Sequence, residues 1–146
     1  MIGKPVTLLI VEDDEVDIMG IMRALKSLKI SNPTITAKDG IEALEHLRGE
    51  NGREKITGPY IILLDINMPR MDGLQFLKII RADPDLKRAI VFMLTTSGTD
   101  SDIISAYDYN VAGYVVKSDP EASFREAAQL LNFYRTIVEL PKDARA

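Results

Sequence analysis

Short apolar runs that each end in a chemically active side chain constrain the fold of this chain more than any other feature. Four such runs end at residues 11, 64, 94 and 116, and they are followed by Glu12-Asp13-Asp14, Asp65, Thr95-Thr96-Ser97 and Lys117. Runs of this kind are typical of strands buried on both faces of a parallel sheet. In one parallel sheet these polar groups would meet at the carboxyl edge, where open α/β sheets bind their ligands.

The strand-like runs alternate with helical patterns along the chain. Strands are predicted at 6–11, 34–37, 60–65, 90–95 and 113–116. Apolar residues at helical spacing predict helices near 18–28, 41–49, 74–82, 100–109 and 120–138. Right-handed crossovers between such units give a doubly wound, five-stranded parallel sheet flanked by five helices. We therefore expect an α/β protein with a single domain over 1–146, a core at about 6–138 and a short tail at 139–146.

Composition excludes several classes of function. The 146 residues carry a net charge of −4 and no cluster of basic side chains, so direct recognition of nucleic acid is not expected. There is no cysteine, which removes disulfides, thiolate metal sites and a cysteine nucleophile. No apolar run approaches the roughly 20 residues of a membrane span. The first predicted strand begins too early to leave room for a secretory signal, so we expect a cytoplasmic protein.

The acidic groups predict a site for a cation. Two carboxylates about 4 Å apart repel by about 4 kcal/mol at an effective dielectric constant of about 20. A cluster of Glu12, Asp13 and Asp65 therefore needs a proton or a cation, and Mg²⁺ suits hard oxygen ligands with open positions. Lys117 and Thr95 could hold the oxygens of a phosphoryl group while Asp65 attacks it. Positioning and charge neutralisation supply most of the catalysis in such a transfer.

Each of these residues has a simpler interpretation when it is taken alone. Acids after a strand are most often helix caps or solvated loop residues, and Asp13 or Asp14 could cap the next helix. A threonine or lysine at a strand end is usually structural or solvated. The combination at the ends of four strands in one small domain is what favours a functional site.

The assembled pattern resembles the receiver domain of two-component response regulators. The matching segments are Leu-Ile-Val-Glu-Asp-Asp at 9–14, Leu-Leu-Asp-Ile-Asn-Met-Pro-Arg-Met-Asp-Gly at 63–73, Leu-Thr-Thr-Ser at 94–97 and Gly-Tyr-Val-Val-Lys at 113–117. The resemblance covers about residues 6–138 and implies the flavodoxin-like fold with strand order 2-1-3-4-5. It implies that a sensor histidine kinase transfers a phosphoryl group from its phosphohistidine to this protein, which then signals through protein contacts. It implies no enzymatic activity beyond catalysis of the protein's own phosphorylation and dephosphorylation.

The resemblance also assigns roles to individual residues. Asp65 would accept the phosphoryl group. Mg²⁺ would be bound directly by Asp13, through water by Glu12, and by Asp65 and the main-chain carbonyl of Asn67. Thr95 and Lys117 would bind the phosphoryl oxygens. Thr95 and Tyr114 would form the switch, in which the hydroxyl moves toward the phosphate and the aromatic ring moves inward. Without the resemblance, Tyr114 would be interpreted as a core residue.

The sequence departs from the family pattern after the lysine. Ser118 stands where many receivers have proline in a cis peptide, and a cis bond without proline costs about 3–4 kcal/mol. Either the bond is a strained cis bond or the lysine is positioned in another way. This Lys-Ser pair, the polar segment at 49–59 and the long last helix resemble the single-domain regulators paired with bacterial phytochrome kinases. Only eight residues follow the last predicted helix, so no output domain is expected.

The last helix carries a second apolar stripe that a lone surface helix does not need. Its members are Leu130, Phe133 and Ile137. We expect it to support a two-fold homodimer through the 114–138 region. The alternative is that the end of the chain folds back over the stripe.

Two other classes of protein are open to test. A small hydrolase with an aspartate nucleophile also uses aspartate, threonine and lysine at strand ends, but Asn67 stands where its general acid would be and cannot donate a carboxyl proton. A flavodoxin-like cofactor binder would need a phosphate-binding loop after its first strand, where this chain has three acids that repel phosphate.

Overall fold

One five-stranded sheet organises the part of the chain that the structure describes. The computed structural model describes residues 5–137, so the predicted tail and the end of the last helix lie outside it. All strand pairings are parallel, and the strand order is β2-β1-β3-β4-β5. The strands are β1 (Thr7–Val11), β2 (Thr34–Ala37), β3 (Tyr60–Leu64), β4 (Ile90–Thr95) and β5 (Gly113–Val116). The predicted fold class and strand order are confirmed.

Helices connect successive strands and cover both faces of the sheet. They are α1 (Glu15–Ser27), α2 (Gly40–Arg48), α3 (Gly73–Ala82), α4 (Asp100–Asp108) and α5 (Pro120–Ile137). Helices α1 and α5 pack together on one face, and α2, α3 and α4 cover the other. Within the described residues, no helix combines the length and apolar character that a membrane span requires.

The central strands are buried on both faces because successive side chains point to opposite sides of the sheet. In β1, Leu9 and Val11 pack toward α2 and α3, whereas Leu8 and Ile10 pack toward α1 and α5. All four side chains are at most 1 % exposed. Burial on both sides explains why these strands read as continuous apolar runs instead of alternating ones.

Capped helix starts place several polar first turns at the carboxyl edge of the sheet. The side chain of Asp14 accepts hydrogen bonds from the main-chain N–H groups of Val16 and Asp17, so Asp14 rather than Asp13 caps α1. Asp39, Asp72 and Thr99 cap α2, α3 and α4 in the same way. Since each of these helices follows a strand of the parallel sheet, its first turn lies at the carboxyl edge of the sheet.

Candidate functional site at the carboxyl edge of the sheet

The sheet brings the predicted site residues together. Thr95 is the last residue of β4, while Glu12, Asp65 and Lys117 directly follow β1, β3 and β5. The ammonium nitrogen of Lys117 lies 2.7 Å from Glu12 Oε2 and 3.9 Å from Asp65 Oδ2. Glu12, Asp65 and Lys117 are each separated by more than fifty positions in sequence, and the parallel sheet makes them neighbours.

Three carboxylates converge at this edge in a way that suits a divalent cation. Glu12, Asp13 and Asp65 each offer one oxygen, and these oxygens lie within 4.8 Å of one another. Glu12 and Asp65 are buried, whereas Asp13 is exposed and gives the cluster a side open to solvent. Asn67, two residues after Asp65, is exposed as well. Hard oxygen ligands with an open side fit a cation that retains some of its water.

The carboxyl group of Glu12 has a raised pKa. Burial raises its pKa to about 7, and the nearby charge of Asp65 acts in the same direction, against the lowering effect of Lys117. Its Oε1 also accepts a hydrogen bond from the main-chain N–H of Asp14 at 3.1 Å. The negative charge of Glu12 at neutral pH therefore depends on cationic partners.

Asp65 is held by the loop that follows β3. Its Oδ1 accepts a hydrogen bond from the main-chain N–H of Ile66 at 2.8 Å, while its Oδ2 faces Lys117. Gly73 begins α3 close against this loop, and a Cβ atom at that position would lie only 2.1 Å from the carbonyl oxygen of Asp65. Glycine at position 73 thus lets the helix start pack directly on the loop that carries Asp65.

Lys117 is more buried and more tightly paired than the sequence predicts for a lysine at a strand end. Its side chain is 4 % exposed and donates to Glu12 Oε2 and, at 2.8 Å, to Asp17 Oδ2. Burial acts to lower the pKa of Lys117, but the hydrogen bonds to Asp17 and Glu12 outweigh it and the pKa lies above its usual value. The described residues contain no cis peptide bond. Of the two predicted possibilities, the lysine is therefore positioned in another way than by a cis bond.

Asp17 is the site residue that the sequence analysis missed. It lies in the first turn of α1, and its main-chain N–H donates to the Asp14 cap at 3.3 Å. A helix that begins just after β1 must present its first turn at the carboxyl edge. That placement was the available signal, although an acid in a first turn is common because it favours the helix dipole.

Thr95 and Tyr114 are linked through Ser97. Thr95 is fully buried, and its Oγ1 accepts a hydrogen bond from the main-chain N–H of Ser97 at 3.4 Å. The hydroxyl of Tyr114 donates to the carbonyl oxygen of Ser97 at 2.7 Å, and its half-buried ring packs against the core on the α2–α4 side. Thr96, which lies between Thr95 and Ser97 in sequence, is exposed. The two predicted switch residues thus share one contact in the loop after β4.

Comparisons with known proteins agree with this geometry. The family model of the response regulator receiver domain matches residues 8–129. Response regulator Rcp1 of Synechocystis sp. is 35 % identical over 140 residues, covering 95 % of this chain and 95 % of Rcp1. The crystal structure of the phosphorylated cyanobacterial phytochrome response regulator RcpA matches with a TM-score of 0.84 at 33 % identity, over 94 % of this chain and 99 % of that one. The Mn²⁺-bound form of Rcp1 matches with a TM-score of 0.82 at 33 % identity, with the same coverage. This chain belongs to the response regulator receiver family, the signalling proteins of two-component systems.

Proposed function

We propose that this protein accepts a phosphoryl group on Asp65 from the phosphohistidine of a sensor histidine kinase. The observation that carries the proposal is the position of Asp65 Oδ2, which faces the ammonium of Lys117 at 3.9 Å beside the carboxylates of Glu12 and Asp13. That distance exceeds a direct hydrogen bond. A phosphoryl group on Oδ2 would bring its own oxygens within reach of the ammonium.

The acidic cluster would bind a divalent cation, and we propose that this cation is Mg²⁺. Carboxylate oxygens of Asp13 and Asp65 and the main-chain carbonyl of Asn67 would hold it, and Glu12 would bind it through a water molecule. The bound cation would neutralise charge on the phosphoryl oxygens. The Mn²⁺-bound form of the relative Rcp1 supports a divalent cation in this family.

Phosphorylation would act on the rest of the molecule through Thr95 and Tyr114. An aspartyl phosphate adds negative charge and acceptor oxygens, which favour a charge-assisted hydrogen bond from the hydroxyl of Thr95. Because Thr95 and Tyr114 both contact Ser97, movement of Thr95 would change the surroundings of Tyr114. The result would be a repacked surface formed by α4, β5 and α5.

The partner kinase would be a bacterial phytochrome. The support is the similarity to relatives whose names describe phytochrome or bacteriophytochrome response regulators, at 31–34 % identity. The Lys-Ser pair at 117–118 and the polar segment at 49–59 also resemble features of these regulators. Mixing the purified protein with a phosphorylated phytochrome kinase tests this partner directly, with an unrelated phosphorylated kinase as the control.

A two-fold homodimer would form through the 114–138 region. Of the predicted apolar stripe, Leu130 is 36 % and Phe133 51 % exposed, while the side chain of Ile137 lies outside the described residues. Large apolar side chains on a helix already packed against the sheet favour a further contact. Light scattering should give a dimer mass for the wild type and a monomer mass for Phe133→Ser.

A hydrolase with an aspartate nucleophile is not favoured. Asn67 occupies the position of its general acid, and the whole match to the receiver family argues for a signalling protein. Sustained turnover of p-nitrophenyl phosphate would contradict our proposal.

Intact-mass measurement after incubation with acetyl phosphate tests the proposed phosphoacceptor. One phosphate adduct should form, it should require Mg²⁺, and it should be absent from Asp65→Asn. Asp14→Asn is the matched control, because it removes a neighbouring carboxylate while asparagine still caps α1. An adduct that persists in Asp65→Asn, or that forms equally in EDTA, would overturn the proposal.

A further inference from the structure

The ammonium of Lys117 is shared by two carboxylates with different surroundings. Glu12 Oε2 and Asp17 Oδ2 lie 2.7 and 2.8 Å from Lys117 Nζ, both nearer than Asp65. Glu12 belongs to the carboxylate cluster suited to a cation, and Asp17 does not. Asp17 is thus the partner of Lys117 that stands outside that cluster.

A lysine needs such a partner if its charge is to stay in one place. The side chain has a flexible four-carbon stem, so an ammonium without fixed partners samples many positions. Glu12 must serve both the ammonium and the cation cluster. Asp17 is fixed independently, since it lies in the capped first turn of a helix packed on the sheet.

We infer that Asp17 is a positioning residue for phosphoryl transfer, which acts by holding the Lys117 ammonium beside Asp65. The inference rests on the proposed role of Asp65 as the phosphoacceptor. Asp17 itself would touch neither Asp65 nor the phosphoryl group. Its effect reaches the reaction only through Lys117.

The simpler explanation is that Asp17 only stabilises the start of α1, as acids in a first turn do. Glu15 offers the comparison, because it is an exposed acid in the same turn. No ion pair of Glu15 occurs among the described residues, whereas Asp17 reaches across to the residue that follows β5. A contribution to the helix dipole would be common to both acids, and positioning of Lys117 would belong to Asp17 alone.

The test compares initial rates of phosphorylation by acetyl phosphate in excess Mg²⁺, followed by intact mass. Loss of one charge-assisted hydrogen bond should make Asp17→Asn about tenfold slower than the wild type. Glu15→Gln should remain within about twofold, the range expected for a change in exposed charge alone. Asp17→Glu, which keeps the carboxylate, should recover most of the rate. Mg²⁺ affinity should be similar in Asp17→Asn and Glu15→Gln, which separates ammonium positioning from cation binding.

A double-mutant cycle with Lys117→Met distinguishes positioning from a general structural effect. If Asp17 acts through Lys117, Asp17→Asn should cause no further loss of phosphorylation rate in the Lys117→Met background. Because that background reacts slowly, its rate is followed over hours. An equal loss in both backgrounds, or an Asp17→Asn rate equal to that of Glu15→Gln, would overturn the inference. If the wild type is still phosphorylated in these cases, only the role of Asp17 is overturned and Asp65 remains the proposed phosphoacceptor. An unphosphorylated wild type would instead overturn the proposed function itself.

Discussion

Arg70 donates two hydrogen bonds to Asp39 and thereby joins the loop after β2 to the loop that carries Asp65. Arg70 Nε lies 2.8 Å from Asp39 Oδ2, and Nη2 lies 3.2 Å from Oδ1. Asp39 is buried and also caps α2 by accepting from the main-chain N–H of Glu42. Burial acts to raise the pKa of Asp39, but the hydrogen bonds from Arg70 and Glu42 outweigh it and keep the pKa below its usual value. One side chain therefore serves both as a helix cap and as an anchor for the neighbouring loop.

Substitutions at Asp39 should separate these two contributions. Asp39→Ala removes the cap and the ion pair, and it should lower the free energy of unfolding by at least about 1 kcal/mol. Asp39→Asn keeps an oxygen that can cap α2 but loses the charge, so it should cost less. Urea unfolding of both variants beside the wild type measures the difference. Equal losses for alanine and asparagine would show that the cap contributes nothing.

Repulsion within the acidic cluster should make the metal-free wild type less stable than a variant that lacks one of the carboxylates. Asp13 is exposed and belongs to a cluster whose oxygens lie within 4.8 Å of one another. Asp13→Asn should therefore raise the melting temperature in EDTA by about 1–3 °C. At a hundredfold excess over its Kd, Mg²⁺ should stabilise the wild type by about 2.7 kcal/mol, and most of this gain should be absent from Asp13→Asn. Asp14→Asn is the control that should still respond to Mg²⁺, and a similar response in Asp13→Asn would contradict the assignment.

The hydrogen bond from Tyr114 to Ser97 should hold the loop after β4 in place. Tyr114→Phe removes only the hydroxyl, and a bond of this kind contributes about 1 kcal/mol. Amide hydrogen exchange in residues 96–99 should therefore be faster in Tyr114→Phe than in the wild type. Beryllofluoride should change exchange in this loop in the wild type but not in Thr95→Val, which keeps the shape of the buried side chain and lacks its hydroxyl. A full response in Thr95→Val would contradict the proposed switch.

Local sequence patterns were sufficient to predict the framework of the site. The bounds of β2, β4 and β5 are those predicted: β5 ends where its apolar run meets Lys117, and β4 extends one residue past its apolar run to include Thr95. β3 ends at Leu64, one residue before the prediction, since Asp65 already turns into the loop. Parallel pairing then places Glu12, Asp65 and Lys117 together without further information.

Contacts that depend on loop shape and helix rotation could not be predicted in this way. Arg70 reaches Asp39 from a backbone conformation with a φ of 61°, which a non-glycine residue adopts only in particular loops. The contact between Asp17 and Lys117 depends on how α1 is rotated on the sheet, which apolar spacing defines only coarsely. In addition, the spacing of charged residues in the sequence does not indicate which of them pair with each other. These two contacts therefore required the structure.

The segment 49–59 covers the only histidine of the chain. Arg53 in this segment forms ion pairs with Glu42 and Glu45 of α2, and its Nη1 lies 3.4 Å from Nε2 of His46. Burial lowers the pKa of His46, and the positive charge of Arg53 lowers it further, although Glu42 and Glu45 act in the opposite direction. The folded protein therefore favours the neutral imidazole more than the unfolded chain does.

Acidification should weaken the fold through His46. Below the ordinary histidine pKa of about 6.5, the unfolded chain binds a proton more readily than the folded protein, so the stabilising contribution is present above that pH and is lost as the pH falls. His46→Gln lacks this titration, and other groups that titrate near neutral pH are common to both proteins. The difference in free energy of unfolding between wild type and His46→Gln should thus shift against the wild type between pH 7.5 and pH 5. Urea unfolding across that range measures it, and a difference that stays constant would show that Arg53 and burial do not act on His46 in solution.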